Sequence, residues 1–197
     1  MDKYVKNIFF MFIFCFCSFS YGGNQKYEEL KHDTMIYMSS YVSDVSPKFS
    51  SFDSIADETS WMVQMDGILK KYVKDSNERF HLLKTVHYEA LRAGLDPELV
   101  LGLMLVESGF KKYAFSDAGA IGYMQVMPFW KDLIGAKNHD LFYTRINLRY
   151  GCTILRHYIS LENNNLIMAL GRYNGSRGDY AYPMAVLSAA RMFKYNG

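Results

Sequence analysis

Apolar residues recur at spacings of three and four along most of the chain, and Gly, Pro, Asn or Ser stand wherever that rhythm fails. After Glu58, the series Trp61, Met62, Met65, Ile68, Leu69 and Tyr72 predicts a helix. Asp75-Ser76-Asn77 breaks it and caps a second, whose face carries Leu83, Val86, Ala90 and Ala93 before Gly94 ends it. Asn147 stands as the N-cap of another, with a stripe of Gly151, Ile154, Leu155, Tyr158 and Leu161. Asn163 to Asn165 makes a turn, Leu166 to Tyr173 a short helix, and Tyr182 to Tyr195 a final one with Pro183 in its first turn. Nearer the start, Glu28 to Tyr41 is compatible with a short helix. Ser43, Ser46, Pro47, Ser50 and Ser51 then form a polar connector, so residues 21–60 read as a loosely packed extension. About six helices, little strand (a short hairpin is plausible in the Gly-rich stretch from Ser116 to Gly122) and no repeat predict a mainly α fold with one domain.

One predicted helix breaks the amphipathic pattern. Asp96 can cap it, Pro97 fits its first position, and Glu98 suits the positive end of its dipole. Leu99, Val100, Leu101, Leu103, Met104, Leu105 and Val106 then make it apolar on every face, which predicts a buried helix. Glu107 closes it, followed by Ser108 and Gly109. Burial disfavours a carboxylate's charged form, and the negative helix end pushes the same way. That is the setting a general acid needs near neutral pH.

Composition narrows the classes. At 197 residues, half of them hydrophobic, the chain can bury a core. A formal charge of +2 without a Lys/Arg block does not point to nucleic acid. Lys3 and Lys6 precede an apolar run from Ile8 to Phe19, and Ser18-Phe19-Ser20 supplies a small-x-small site, so residues 1–20 read as a cleavable signal peptide, with an uncleaved anchor as the alternative. Removing them leaves Cys152 alone, which excludes an internal disulfide and suits a buried thiol. The five histidines show no metal-ligand spacing, no Ser/His/Asp or Cys/His arrangement has a supporting signature, and neither a metal nor a cofactor is expected.

Four stretches carry a resemblance. Glu107, Ser108, Phe110, Ala114 and Ser116 match E-S-x-F-x-x-x-A-x-S, and Gly119, Ala120, Gly122, Met124, Gln125 and Pro128 match G-A-x-G-L-M-Q-x-x-P, with Tyr123 in place of Leu. Asn147, Leu148 and Gly151 resemble N-I-x-x-G, and Ala169, Leu170, Tyr173 and Asn174 match A-L-x-x-Y-N, followed by Tyr182. In that order, over about 120 residues, the chain resembles the soluble lytic transglycosylase family. The resemblance implies a lysozyme-like (goose-type) α-helical catalytic domain over 76–197, after the signal peptide of 1–20 and an N-terminal extension with helical segments over 21–75. It implies Glu107 as the catalytic acid and base, with Ser108, Met124, Gln125, Tyr173, Asn174 and Tyr182 binding substrate, and Tyr173 against the glutamate. Lys111 and Lys112 stand where the family often has Asn and Pro, and Arg172 where it has a small residue.

Most glycosidases flank the scissile bond with two carboxylates. Here Asp117, Asp132, Asp140, Glu162 and Asp179 fall in predicted loops, and Glu89 reads as a helix-surface partner of Arg92. A lone acid suits a substrate that supplies its own nucleophile. The expectation is therefore cleavage of the β-1,4 bond between N-acetylmuramic acid and N-acetylglucosamine with 1,6-anhydro ends, in the periplasm or cell envelope. A hydrolytic muramidase using Asp117, and a non-catalytic glycan-binding module, are the alternatives. The partner implied is the peptidoglycan strand. The small size suits a monomer directed by envelope or secretion-apparatus proteins.

Overall fold

The computed structural model describes residues 24–43 and 54–195; the signal peptide expected over 1–20 and the connector residues Ser46 to Ser51 lie outside them. Eight helices follow in order among the described residues: α1 (His32–Ser43), α2 (Ile55–Leu69), α3 (Ser76–Arg92), α4 (Pro97–Ser108), α5 (Phe129–Ile134), α6 (Thr144–Leu161), α7 (Leu166–Asn174) and α8 (Ala181–Arg191). The fold is mainly α, with isolated bridges of Ile121 to Phe115 and to Val126 as its only β pairing among the described residues.

Local sequence explains most helix ends. The side chains of Ser54, Asp75, Asp96 and Asn165 accept from backbone N–H groups in the first turns of α2, α3, α4 and α7. Gly109 and Gly175 close α4 and α7 in the left-handed region. The short α5 was not foreseen, because six residues without a capping side chain leave no periodic signal.

α4 is the centre of the core. Val100, Leu101, Leu103 and Met104 are fully buried, as predicted for a helix apolar all round. It crosses α8 so closely that a Cβ on Gly102 would lie 2.5 Å from the backbone nitrogen of Ala190. Gly102 faces Ala190 while Glu107 faces Tyr182, so the two helices run antiparallel. α3 packs on α4 and α6, and α7 bridges α6 and α8.

Two expectations need correction. Residues 24–43 are not loosely packed: α1 lies on α5 and α6, and Met38 and Val42 join the core. Nor is Glu89 a surface partner of Arg92. It is 1% exposed and faces three guanidinium groups, Arg149 at 3.0 Å, Arg145 at 3.4 Å and Arg92 at 3.6 Å. Arg92 and Arg149 also donate to the carbonyls of Tyr41 and Val42. Since α1 has no basic residue in its own last turn, these two cations serve its negative end from other helices.

Candidate active site

Glu107 lies at the end of α4, 3% exposed. The Tyr182 hydroxyl, from the first turn of α8, donates to its Oε1 at 2.5 Å. Oε2 is buried and makes no hydrogen bond. Burial pushes the carboxyl up to about 8, against the smaller opposing effect of the Tyr182 hydrogen bond. The group is therefore protonated at neutral pH. Because the phenol donates to Oε1, the acid proton belongs on Oε2, the oxygen left without a partner. This is an acid with its donor oxygen in reserve.

Tyr182→Phe tests that pairing. The phenol favours the charged carboxylate, so its loss should raise the Glu107 pKa further and move the alkaline limb of the pH–rate profile upward. Loss of orientation should lower kcat by about tenfold or more. A limb that moves down would contradict the assignment.

The loop after α4 is held against that acid by side chains from three directions. Ser108 Oγ donates to the Tyr123 carbonyl at 2.8 Å, and the Tyr173 hydroxyl donates to the Met124 carbonyl at 2.8 Å. Gln125 adopts φ 48°, uncommon outside glycine, and its own amide donates to the carbonyls of Gly122 at 2.9 Å and Ala114 at 3.3 Å. The expected substrate-binding residues Ser108, Met124, Gln125 and Tyr173 are thus brought together with Glu107. Their polar groups are committed to shaping the loop. Tyr173, expected against the glutamate, lies close enough to feel its charge but donates its hydroxyl to Met124, and Tyr182 makes the direct hydrogen bond to the acid. Asn174 is buried at the end of α7, where its carbonyl accepts from Asn24.

Asn147 was expected as an N-cap, but α6 begins at Thr144, three residues earlier. Its side chain instead accepts from Met124 N at 2.8 Å and donates to the carbonyls of Ile121 at 2.8 Å and Leu141 at 2.9 Å. One helical turn on, a Cβ at Gly151 would fall 2.4 Å from the Met124 sulfur. The N-x-x-x-G spacing is therefore a grip and a notch on one face of α6, both for the same loop residue. Asn147→Ala leaves the Met124 N–H and the Leu141 carbonyl unpaired, while the Ile121 carbonyl keeps Val126 N, and should cost about 2–3 kcal/mol in urea unfolding.

Sequence reasoning also missed Gln25. It is 3% exposed, and its Oε1 accepts from Trp130 Nε1 at 3.0 Å and Met127 N at 3.2 Å, while its Nε2 donates to the Gln125 carbonyl at 3.4 Å. No local signal could have found a partner so distant in sequence. Asp117, the acid considered for a hydrolytic route, is exposed on the loop. Among the described residues no group of His, Cys, Asp and Glu could hold a metal.

Comparison with known proteins bears on the family and the fold. The transglycosylase SLT domain model matches residues 84–184, just over half of the chain. A membrane-bound lytic murein transglycosylase C from Actinobacillus pleuropneumoniae serotype 5b (strain L20) is 47% identical over 60 residues, covering 29% of this chain and 16% of that protein. Its namesake from Haemophilus influenzae (strain PittEE) is 50% identical over 46 residues, covering 23% and 13%. These stretches span about a sixth or less of the relatives' length. An X-ray structure of an inactive mutant of the lytic transglycosylase Slt from Pseudomonas aeruginosa superposes with a TM-score of 0.50 at 24% identity, over 71% of this chain and 28% of that one. That likeness is one of fold.

Proposed function

The chain belongs to the transglycosylase SLT domain family, and from that premise we propose that it is a peptidoglycan lytic transglycosylase with Glu107 as its sole general acid and base. The observation that carries the reading is the state of that carboxyl: buried, protonated at neutral pH, and with Oε2 unpartnered. In the first step Oε2 gives its proton to the glycosidic oxygen, and the bond from muramoyl C1 breaks as the neighbouring N-acetyl carbonyl oxygen closes on C1. In the second, the C6 hydroxyl attacks C1, the acetyl oxygen leaves, and the Glu107 carboxylate takes the hydroxyl proton. The products are a free N-acetylglucosamine end and a 1,6-anhydromuramoyl end, and no water is consumed. Buried Tyr173, Asn147 and Ser108 hold the loop that meets the sugar, and the exposed rings of Tyr113, Phe115 and Tyr143 offer apolar faces for sugar stacking.

The names of its relatives place those proteins at membranes and on murein, and we assign this chain to the cell envelope on the same substrate. No helix among the described residues is long and apolar enough to cross a membrane. The division into a signal peptide, an extension over 21–75 and a catalytic domain over 76–197 is proposed with it, as is a monomeric state.

Mass analysis of muropeptides released from sacculi tests the reaction, with Glu107→Gln as control. Anhydro ends that vanish in the control are expected. Reducing ends, heavier by one water, would favour hydrolysis, and an inert wild type would leave only glycan binding.

A further inference from the structure

The segment before α1 reaches the site from the far end of the chain. Its backbone is pinned by Asn24 N donating to the Asn174 carbonyl at 3.3 Å, and it passes so near Gly175 that a Cβ there would meet the Asn24 oxygen at 2.1 Å. Gln25 follows, accepting twice and donating once within the Gln125–Trp130 stretch. Tyr27 packs edge-on against Phe129 at 5.7 Å, and Glu28 pairs with Arg172 at 2.6 Å. Arg172, a departure from the family's small residue, also binds Glu162 at 2.7 Å, so it ties the segment to the end of α6.

Resting on the transglycosylase reading, we propose that residues 24–28 are a working part of the catalytic centre, with Gln25 the positioning residue that fixes the loop against Glu107. The physical case lies in what its amide holds. Gln125 keeps a left-handed backbone that only surrounding contacts can maintain. Its side chain is anchored within the loop, but the carbonyl of this strained residue is held by Gln25. The other end of the same amide satisfies the Met127 N–H and the indole of buried Trp130, which turn the chain into α5. Ser108, Tyr173 and Asn147 fix residues 121–124, and Gln25 fixes 125–130. Tyr173 feels both Glu107 and Gln25, so the two halves meet beside the acid. Without the strap, the second half of the loop loosens and water reaches a carboxyl whose protonation depends on its exclusion.

The test uses the full chain with Gln25→Ala and Gln25→Glu. Two readouts apply: kcat/KM on glycan strands, and the Glu107 pKa from 13C NMR of its carboxyl, which needs no turnover. Gln25→Ala should lower kcat/KM by about tenfold or more and bring the Glu107 pKa down by about one unit or more. A role confined to stability would lower Tm and leave that pKa in place. In Gln25→Glu the burial of this position raises the new carboxyl's pKa, and the protonated acid keeps both accepting and donating functions. Activity relative to wild type should therefore be close to one at pH 5 and fall as the carboxyl ionises. A folded Gln25→Ala protein with wild-type kcat/KM and Glu107 pKa overturns the proposal. If that variant does not fold, a Gln25→Glu ratio that stays constant with pH overturns it instead. A wild type that cuts no glycan defeats the transglycosylase reading, while the NMR shift still decides the role of Gln25.

Discussion

Replacing Glu107 with Gln should abolish product formation and, in the same stroke, make the protein more stable. As the only group proposed to move protons in both steps, Glu107 has no understudy, and the loss should reach the upper end of general acid–base effects, about 10⁴-fold in kcat. The stability gain follows from linkage. The folded-state pKa of about 8 lies above the ordinary value of 4.5, so between those limits the native protein holds a proton that the unfolded chain releases. Stability from this site is complete below pH 4.5 and declines as pH rises toward 8. At pH 7 the deficit is about 3 kcal/mol, which Gln escapes because it never ionises. Its carbonyl still accepts from Tyr182. Urea unfolding at pH 5 and pH 8 should show the variant's advantage growing with pH. An advantage that is flat or shrinks would mean that Glu107 is ionised in the fold.

Glu89→Ala should have the largest effect on stability of any single change outside the site. Its carboxylate is the shared partner of Arg145 and Arg149 and lies within reach of Arg92, and the Arg149 side chain is itself 4% exposed. Removing the anion leaves a buried cation without its counter-charge among like charges. Breaking a buried pair in this way costs about 3–5 kcal/mol. For a chain of this size that lowers Tm by roughly 10 °C, measurable by calorimetry. Because Arg92 and Arg149 also hold the end of α1, residues 24–43 should exchange their amide protons faster in the variant. An unchanged Tm would show that water reaches the arginines.

These two carboxylates show what the sequence can and cannot carry. Glu107 was legible because its environment is written in its neighbours: the apolar run before it fixes its burial without knowledge of the fold. Glu89 was not. Arg92 lies three residues on and suggests an ordinary surface pair, whereas Arg145 and Arg149 are 56 and 60 residues away and meet Glu89 only when α3 packs on α6. The caps at Asp75 and Asp96 were readable for the same local reason, since each bonds within its own first turn. Asn147 misled because an asparagine near a helix start looks like a cap whatever it binds. Gln25 stands 100 residues from Gln125, and nothing around it in the sequence marks it for the site.

The crossing of α4 and α8 bears on how this centre can vary. The gap between acid and phenol is set by how far apart two helix axes stand, and that spacing is fixed at Gly102 by the absence of a side chain. A methyl group added there would act as a wedge. It would touch neither sugar nor proton, yet it would prise Tyr182 from Glu107 about a turn and a half away. The tuning of the acid thus depends on a position with no chemistry of its own, and substitutions tolerated at the polar residues of the loop should find no counterpart at this one.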